Sequence, residues 1–348
     1  MPAAAEGSMV VEEGVNRLLT DGGNNVFRYI AKSEIISRSC YAIGVLIAVI
    51  IAVSAFTCLA SDQGTKQEKF KSPEEAFSAL IEAARTNDTA ELLAIFGPQG
   101  KDIISSGDAI ADSLARERFV QAAGEAVKFS KLDNKTVLPV IGKGACSFPI
   151  PIVKSGRQWV FSTEEGRQEI LNRRIGRNEL NTIKVSLHYV EAQREYVGKY
   201  RDGSGVLQYA QRFRSHEGEK DGLYWKAAPG EEESPLGPLV ARATEEGYAA
   251  RKPGEKRVPY HGYYFNILKS QGSNAPGGEM DYVINGKMTA GFGLLAYPAQ
   301  YGVSGIMTFV VNQQGIVYQK DLGPGTEEAA KAITKYDPDK TWQKVKLQ

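Results

Sequence analysis

Residues 178–200 read NELNTIKVSLHYVEAQREYVGKY, and this stretch decides how the C-terminal half is built. Leu180, Ile183, Leu187, Val190 and Val197 recur at three- and four-residue steps, the period of an amphipathic helix. Such a helix, about six turns long at 3.6 residues per turn, is marginal alone and needs a partner for its apolar face. Downstream the pattern changes to alternation, with strands expected over 260–268, 280–284, 288–297, 306–311 and 316–320. Asn285-Gly286 is a type I′ hairpin signal within that run. The stripe is therefore expected to pack on strands 288–297 and 306–311. Together with a closing helix capped by Thr326, these elements make a lobe of residues 178–348.

Upstream of the helix a second lobe is legible over 71–177. Ser72-Pro73-Glu74-Glu75 is a capping box, and Phe77, Leu80, Ile81 and Ala84 form the inner face of the helix that it opens. Asp88 caps a second helix that Gly97-Pro98 stops. A third helix is expected over 109–127, then strands over 137–141, 148–153 and 158–162. A further helix from about Glu164 is expected to end near Gly176. The fold class is α+β: two lobes, each with helices packed on an antiparallel sheet. Residues 217–257, rich in Gly, Pro and Glu, read as a long mobile surface excursion with one short helix inside 236–250.

The N-terminal part has a different character. Residues 41–60, YAIGVLIAVIIAVSAFTCLA, carry no charge and have about the length that crosses a bilayer core. Lys32 and Arg38 precede this segment and Asp62 follows it, which places the N-terminus inside and the bulk outside. Two outcomes stay open, a retained anchor and a signal cleaved after Ala60. Residues 1–40 form an N-terminal extension and 61–70 a linker. The balance of 42 basic and 41 acidic residues gives a net charge of +1, with no basic footprint for nucleic acid. Of the three cysteines only Cys146 lies beyond the apolar segment, so no internal disulfide framework is expected there.

Few residues point to chemistry. His188, His216 and His261 show no spacing that gathers them with carboxylates or thiolates, so no catalytic residue, metal or cofactor is expected. His261 stands out because Tyr260, His261, Tyr263 and Tyr264 form an aromatic concentration able to line a groove, and these four are the candidate ligand-binding residues. Ser304 in YGVSG lacks the glycine spacing of a nucleophile elbow. Residues 200–211 resemble a calcium loop but have Tyr200 and Gln211 where oxygen ligands belong. Arg173, Arg174 and Arg177 form a basic knot, read as cations near a helix C-terminus with anion binding as the alternative.

Arg177-Asn178-Glu179-Leu180, Glu191-Ala192-Gln193-Arg194-Glu195-Tyr196, Ser234-Pro235-Leu236-Gly237-Pro238, Tyr260-His261-Gly262-Tyr263-Tyr264-Phe265 and GIMTFVVNQQGIVYQKDLGP from Gly305 resemble the bacterial family numbered 2950 among the domains of unknown function. The resemblance covers about 70–345 and implies an exported envelope protein with no assigned activity. The long helix followed by an antiparallel sheet is also similar to the globular part of type IV pilins and pseudopilins. The expected function is a non-catalytic binding or scaffolding component of the cell envelope. The alternative is a periplasmic enzyme or small-ligand binder with a pocket near 260–265. The expected partners are the inner membrane, through residues 41–60 where uncleaved, and an envelope protein.

Overall fold

Ser72 starts the first helix as its sequence dictates: its hydroxyl accepts from Glu75 N at 3.1 Å and Pro73 takes the first turn of α1 (Pro73–Arg85). The capping box is shifted by one residue, because Glu75 Oε2 accepts from Lys71 N at 2.6 Å rather than from Ser72. This computed structural model describes residues 66–199, 201, 205–249 and 254–346. The apolar segment at 41–60 and residues 200 and 202–204 of the calcium-like loop at 200–211 lie outside the described residues. Among the described residues no helix is long and apolar enough to cross a membrane.

Asp88 caps α2 (Thr89–Phe96), accepting from Ala90 N and Glu91 N, and Gly97 at φ +72° ends it. After the short α3 (Lys101–Ile104), α4 (Ala109–Glu125) is capped by Asp108. An antiparallel sheet follows, built from β1 (Val127–Lys131), β2 (Thr136–Ile141), β3 (Cys146–Ser147), β4 (Ile152–Ser155) and β5 (Gln158–Phe161). Its β1 was not anticipated, because VKFSK carries only two apolar residues. Phe77 meets Phe119, Phe129 and Phe148 edge to face across this lobe.

The main departure from expectation is α5 (Thr163–Val197), one unbroken helix of 35 residues. No helix ends near Gly176, and the boundary expected at 177 falls inside α5. The described residues from 66 to 345 form a single compact unit. The N-terminal half of α5 packs in the first lobe through Leu171 and Ile175, and Gly166 permits this approach. A Cβ at Gly166 would lie 2.5 Å from both Ile150 Cγ1 and Pro149 O. The C-terminal half of α5 buries Ile183, Tyr189, Val190, Ala192 and Tyr196 in the second core. The stripe is thus rotated from the expected one: Leu180 is exposed, and Leu187 and Val197 are half-buried. Aromatic and small residues, which a count of aliphatic positions passes over, carry the inner face.

Next come α6 (Gly237–Glu245) and β6 (Tyr263–Leu268), then two-stranded ribbons, β7 (Ser270–Gln271) with β8 (Met280–Asp281) and β9 (Val283–Ile284) with β10 (Lys287–Met288). The second main sheet is completed by β11 (Gly293–Pro298), β12 (Met307–Asn312), β13 (Tyr318–Asp321) and, after α7 (Thr326–Ala332), β14 (Gln343–Lys344). Its order is β14-β13-β12-β11-β6, antiparallel throughout. Leu294, Ala296, Phe309 and Val311 face α5, while Leu295, Tyr297, Val310 and Leu268 face α7 and Tyr336. Burial on both faces explains why β11 reads as a continuous apolar run rather than an alternating one.

Residues 217–257 are not a mere surface excursion. Leu223, Trp225 and Leu236 are buried in the second core, and Trp225 Nε1 donates to Glu232 O at 3.0 Å. Outside α6 the segment lacks periodicity because isolated anchors hold it down.

Candidate functional site

The aromatic segment turns sharply. Tyr260 N donates to Tyr263 O at 2.8 Å and Tyr263 N to Tyr260 O at 3.1 Å, closing a two-residue turn through His261 (φ +48°) and Gly262 (φ +78°). Two successive left-handed residues are what a type I′ turn requires. Only glycine fits the second position, since a Cβ at Gly262 would lie 2.6 Å from Asn178 Nδ2. His261 adopts a conformation that disfavours most side chains, and its neighbours hold it there. Its backbone N donates to Tyr248 Oη at 3.2 Å, and its Nε2 lies 2.9 Å from Glu246 Oε2.

Tyr248 links this turn to the first lobe. Its hydroxyl donates to Asp108 Oδ2 at 2.9 Å, and the same oxygen accepts from Gly262 N at 2.9 Å. Asp108 Oδ1 accepts from Ala111 N at 3.0 Å, so one fully buried carboxylate both caps α4 and ties down the turn. Tyr260 packs edge to face on Tyr248 and on the His261 ring. Burial lowers the His261 pKa, although Glu246 and Asp108 pull it upward. Burial, reinforced by Glu246, pushes the Tyr260 hydroxyl up to about 12. Burial and then Asp108 hold Tyr248 well above its ordinary range.

Beside this network lies a pocket of about 280 Å³ between α5, α6 and the sheet. Val185 and Tyr189 come from α5, Leu239, Val240 and Ala243 from α6, and Tyr263, Tyr264 and Leu294 from the sheet. Tyr260 lines it too, with Arg257 and the exposed Val258. Three of the four candidate residues, Tyr260, Tyr263 and Tyr264, thus face one cavity, whereas His261 points to Glu246. None of the nine residues of α6 is buried, yet its apolar face is turned to this pocket. A second anchor lies behind the pocket. The Glu179 carboxylate accepts from Ile306 N at 3.0 Å and Met307 N at 2.9 Å, and Tyr263 Oη donates to Met307 O at 3.0 Å. Burial raises the Glu179 pKa against the pull of those two backbone donors.

The remaining candidates fall elsewhere. Ser304 is fully buried and its hydroxyl is engaged with Gln300 N and O, the role of a turn residue. His188 is on the solvent side of α5, 3.5 Å from Glu191. His216, Glu219 and Asp221 do converge, which their exposed turn did not signal in the sequence. Arg212 already serves that group as its cation, with Nη1 2.9 Å from His216 Nδ1 and Nε 3.3 Å from Asp221 Oδ2. Sequence reading also missed Asp108, Glu246 and Tyr248. Only Asp108 left a signal, as a capping residue one position before a helical run.

These features define an α+β protein whose apolar pocket is flanked by a His–Glu pair and a buried Tyr–Asp pair. The chain belongs to the family described as Protein of unknown function (DUF2950), whose family model matches residues 67–345. No curated protein and no solved structure matches it, and the similarity to pilin globular domains is not shown.

Proposed function

We propose that this protein is a non-catalytic binding component of the bacterial cell envelope and that the pocket under α6 takes up an apolar group of a small ligand. The observation that carries this reading is α6 itself. A nine-residue amphipathic helix is too short to hold its shape alone, and here Leu239 and Val240 of its apolar face pack only partly on the second core and also line the open pocket. The pocket opens to solvent beside the exposed Val258, and binding pockets start at about 300 Å³ and combine apolar walls with a few polar groups. Tyr260 and Arg257 supply such groups at this site. The size fits a branched or aromatic hydrocarbon group rather than a whole dinucleotide. His261 is not among the residues that line this pocket, so the walls offer a ligand no imidazole, which suits binding of an apolar group. Export through the apolar segment at 41–60 belongs to the same proposal.

Fluorescence titration with the apolar probe N-phenyl-1-naphthylamine tests the pocket. The full chain is expected to enhance emission saturably, and Ala243→Trp, which fills the cavity from α6, should weaken binding at least about tenfold, equivalent to about 1.4 kcal/mol. Equal affinity in the two proteins sinks the reading. Protease digestion of intact and lysed spheroplasts tests export, since residues beyond 60 should be cut from outside.

A further inference from the structure

A helix ending near Gly176 would make Arg173, Arg174 and Arg177 cations at a C-terminus, where the helix dipole favours them. The structure removes that explanation. Because α5 runs on to Val197, Arg173, Arg174 and Arg177 lie in mid-helix, and the dipole effect is confined to the last turn. One turn apart or nearly so, they share a face of α5. On the opposing side, Arg116 Nη2 of α4 donates to Ile104 O at 2.8 Å, and Arg174 donates to Asp102 O at 2.6 Å and to Ile103 O. The carbonyl end of α3 thereby holds α4 and α5 together with their arginines side by side.

The nearby acids are already engaged. Asp102 pairs with Arg167, Glu169 pairs with Arg173 at 2.7 Å, and Asp112 accepts from Ser106 N at 2.9 Å. Among the described residues Arg177 has neither a hydrogen bond nor an ion pair, and it keeps solvent access. Crowding by surrounding atoms and the like charges of Arg118, Arg174 and Arg173 hold its pKa below the ordinary guanidinium range, although a guanidinium stays charged. Gly176 adds an independent observation. A glycine inside a helix is destabilising relative to alanine, and nothing lies within 4 Å of the Cβ that Gly176 lacks. Packing requires Gly166 but does not require Gly176. The bare backbone between Arg173 and Arg177 leaves room for something outside the chain.

We propose that this face of α5, with Arg118 of α4, is a binding site for a phosphate or phosphate-ester anion. Guanidinium forks match the tetrahedral oxygens of phosphate in geometry as well as charge. The Arg177 and Arg118 forks can donate to the anion, while Arg173 and Arg174, already bonded to Glu169 and to the Asp102 and Ile103 carbonyls, add positive charge beside them. The same chemistry is offered by free phosphate and by a phospholipid headgroup.

Calorimetric titration of the full chain with inorganic phosphate, glycerol 1-phosphate and glycerophosphoglycerol separates these sources, the last being a soluble lipid headgroup. At least one should bind. Preference for inorganic phosphate or the monoester would assign a free anion, and preference for the diester a headgroup; both support the site. Arg177→Ala should weaken the bound anion about tenfold or more, Arg177→Lys by less, and Arg157→Ala, an exposed arginine in a turn of the first sheet, not at all. Arg118→Ala, on the other helix, gives a second reading should Arg177→Ala lower the melting temperature. Unchanged affinity in both alanine variants, or no binding of any of the three, overturns the proposal.

Discussion

Tyr248 Oη and Asp108 Oδ2 meet at 2.9 Å across 140 residues of chain, joining the two halves of the protein through one hydrogen bond. Asp108 is fully buried and its carboxylate accepts from Tyr248, Gly262 N and Ala111 N. Removing it leaves buried donors unpaired, a more expensive state than a missing bond alone.

Asp108→Ala should therefore lower unfolding free energy by roughly 2–4 kcal/mol, combining a lost cap with stranded donors. Tyr248→Phe should lower it by about 1–2 kcal/mol. In denaturant melts the double variant should lose less than the sum of the two. Strict additivity would show that the pair is not coupled.

His261 makes stability depend on pH. Burial depresses its pKa below the ordinary 6.5, so the folded state prefers the neutral imidazole. A depressed base contributes stability that is present above its unfolded pKa and lost as the pH falls through the folded value. The melting temperature should thus drop as the pH is taken below 6.5. His261→Asn, which tolerates the left-handed backbone, should flatten that drop. Parallel curves for wild type and variant would contradict the assignment.

The face of α5 can be tested by a pair of substitutions. Ile183→Ala removes a buried side chain of the second core and should cost about 2–5 kcal/mol. Leu180→Ala alters an exposed position and should stay within about 0.5 kcal/mol. Similar losses from both would restore the stripe expected from aliphatic spacing.

Elements with strong local signals were legible in the sequence: the capped α1 and α2, the period of α5, and the hairpin at Asn285-Gly286. The α+β class followed from them. The continuity of α5 was not legible, because Gly176 is a helix breaker by propensity and only tertiary contacts through Ile175 and Asn178 override it. Tyr260, Tyr263 and Tyr264 could be singled out as an aromatic concentration. Their partners Asp108, Glu246 and Tyr248 could not, since contacts over such chain separations leave no periodic trace. The small-residue and aromatic inner face of α5 has the same cause: Gln193 is fully buried because it bonds Ala210 at both N and O, which no hydropathy pattern records.

Methyl chemical shifts of the labelled protein measure pocket occupancy most directly. On addition of N-phenyl-1-naphthylamine, the methyls of Val185, Leu239, Val240 and Leu294 should shift together and saturate at one common Kd, while those of Leu80 and Ile95 in the first lobe stay put. Shifts confined to the groove by Trp342 and Ile333, or none at the four pocket methyls, would contradict the proposal that the cavity beneath α6 is the binding site.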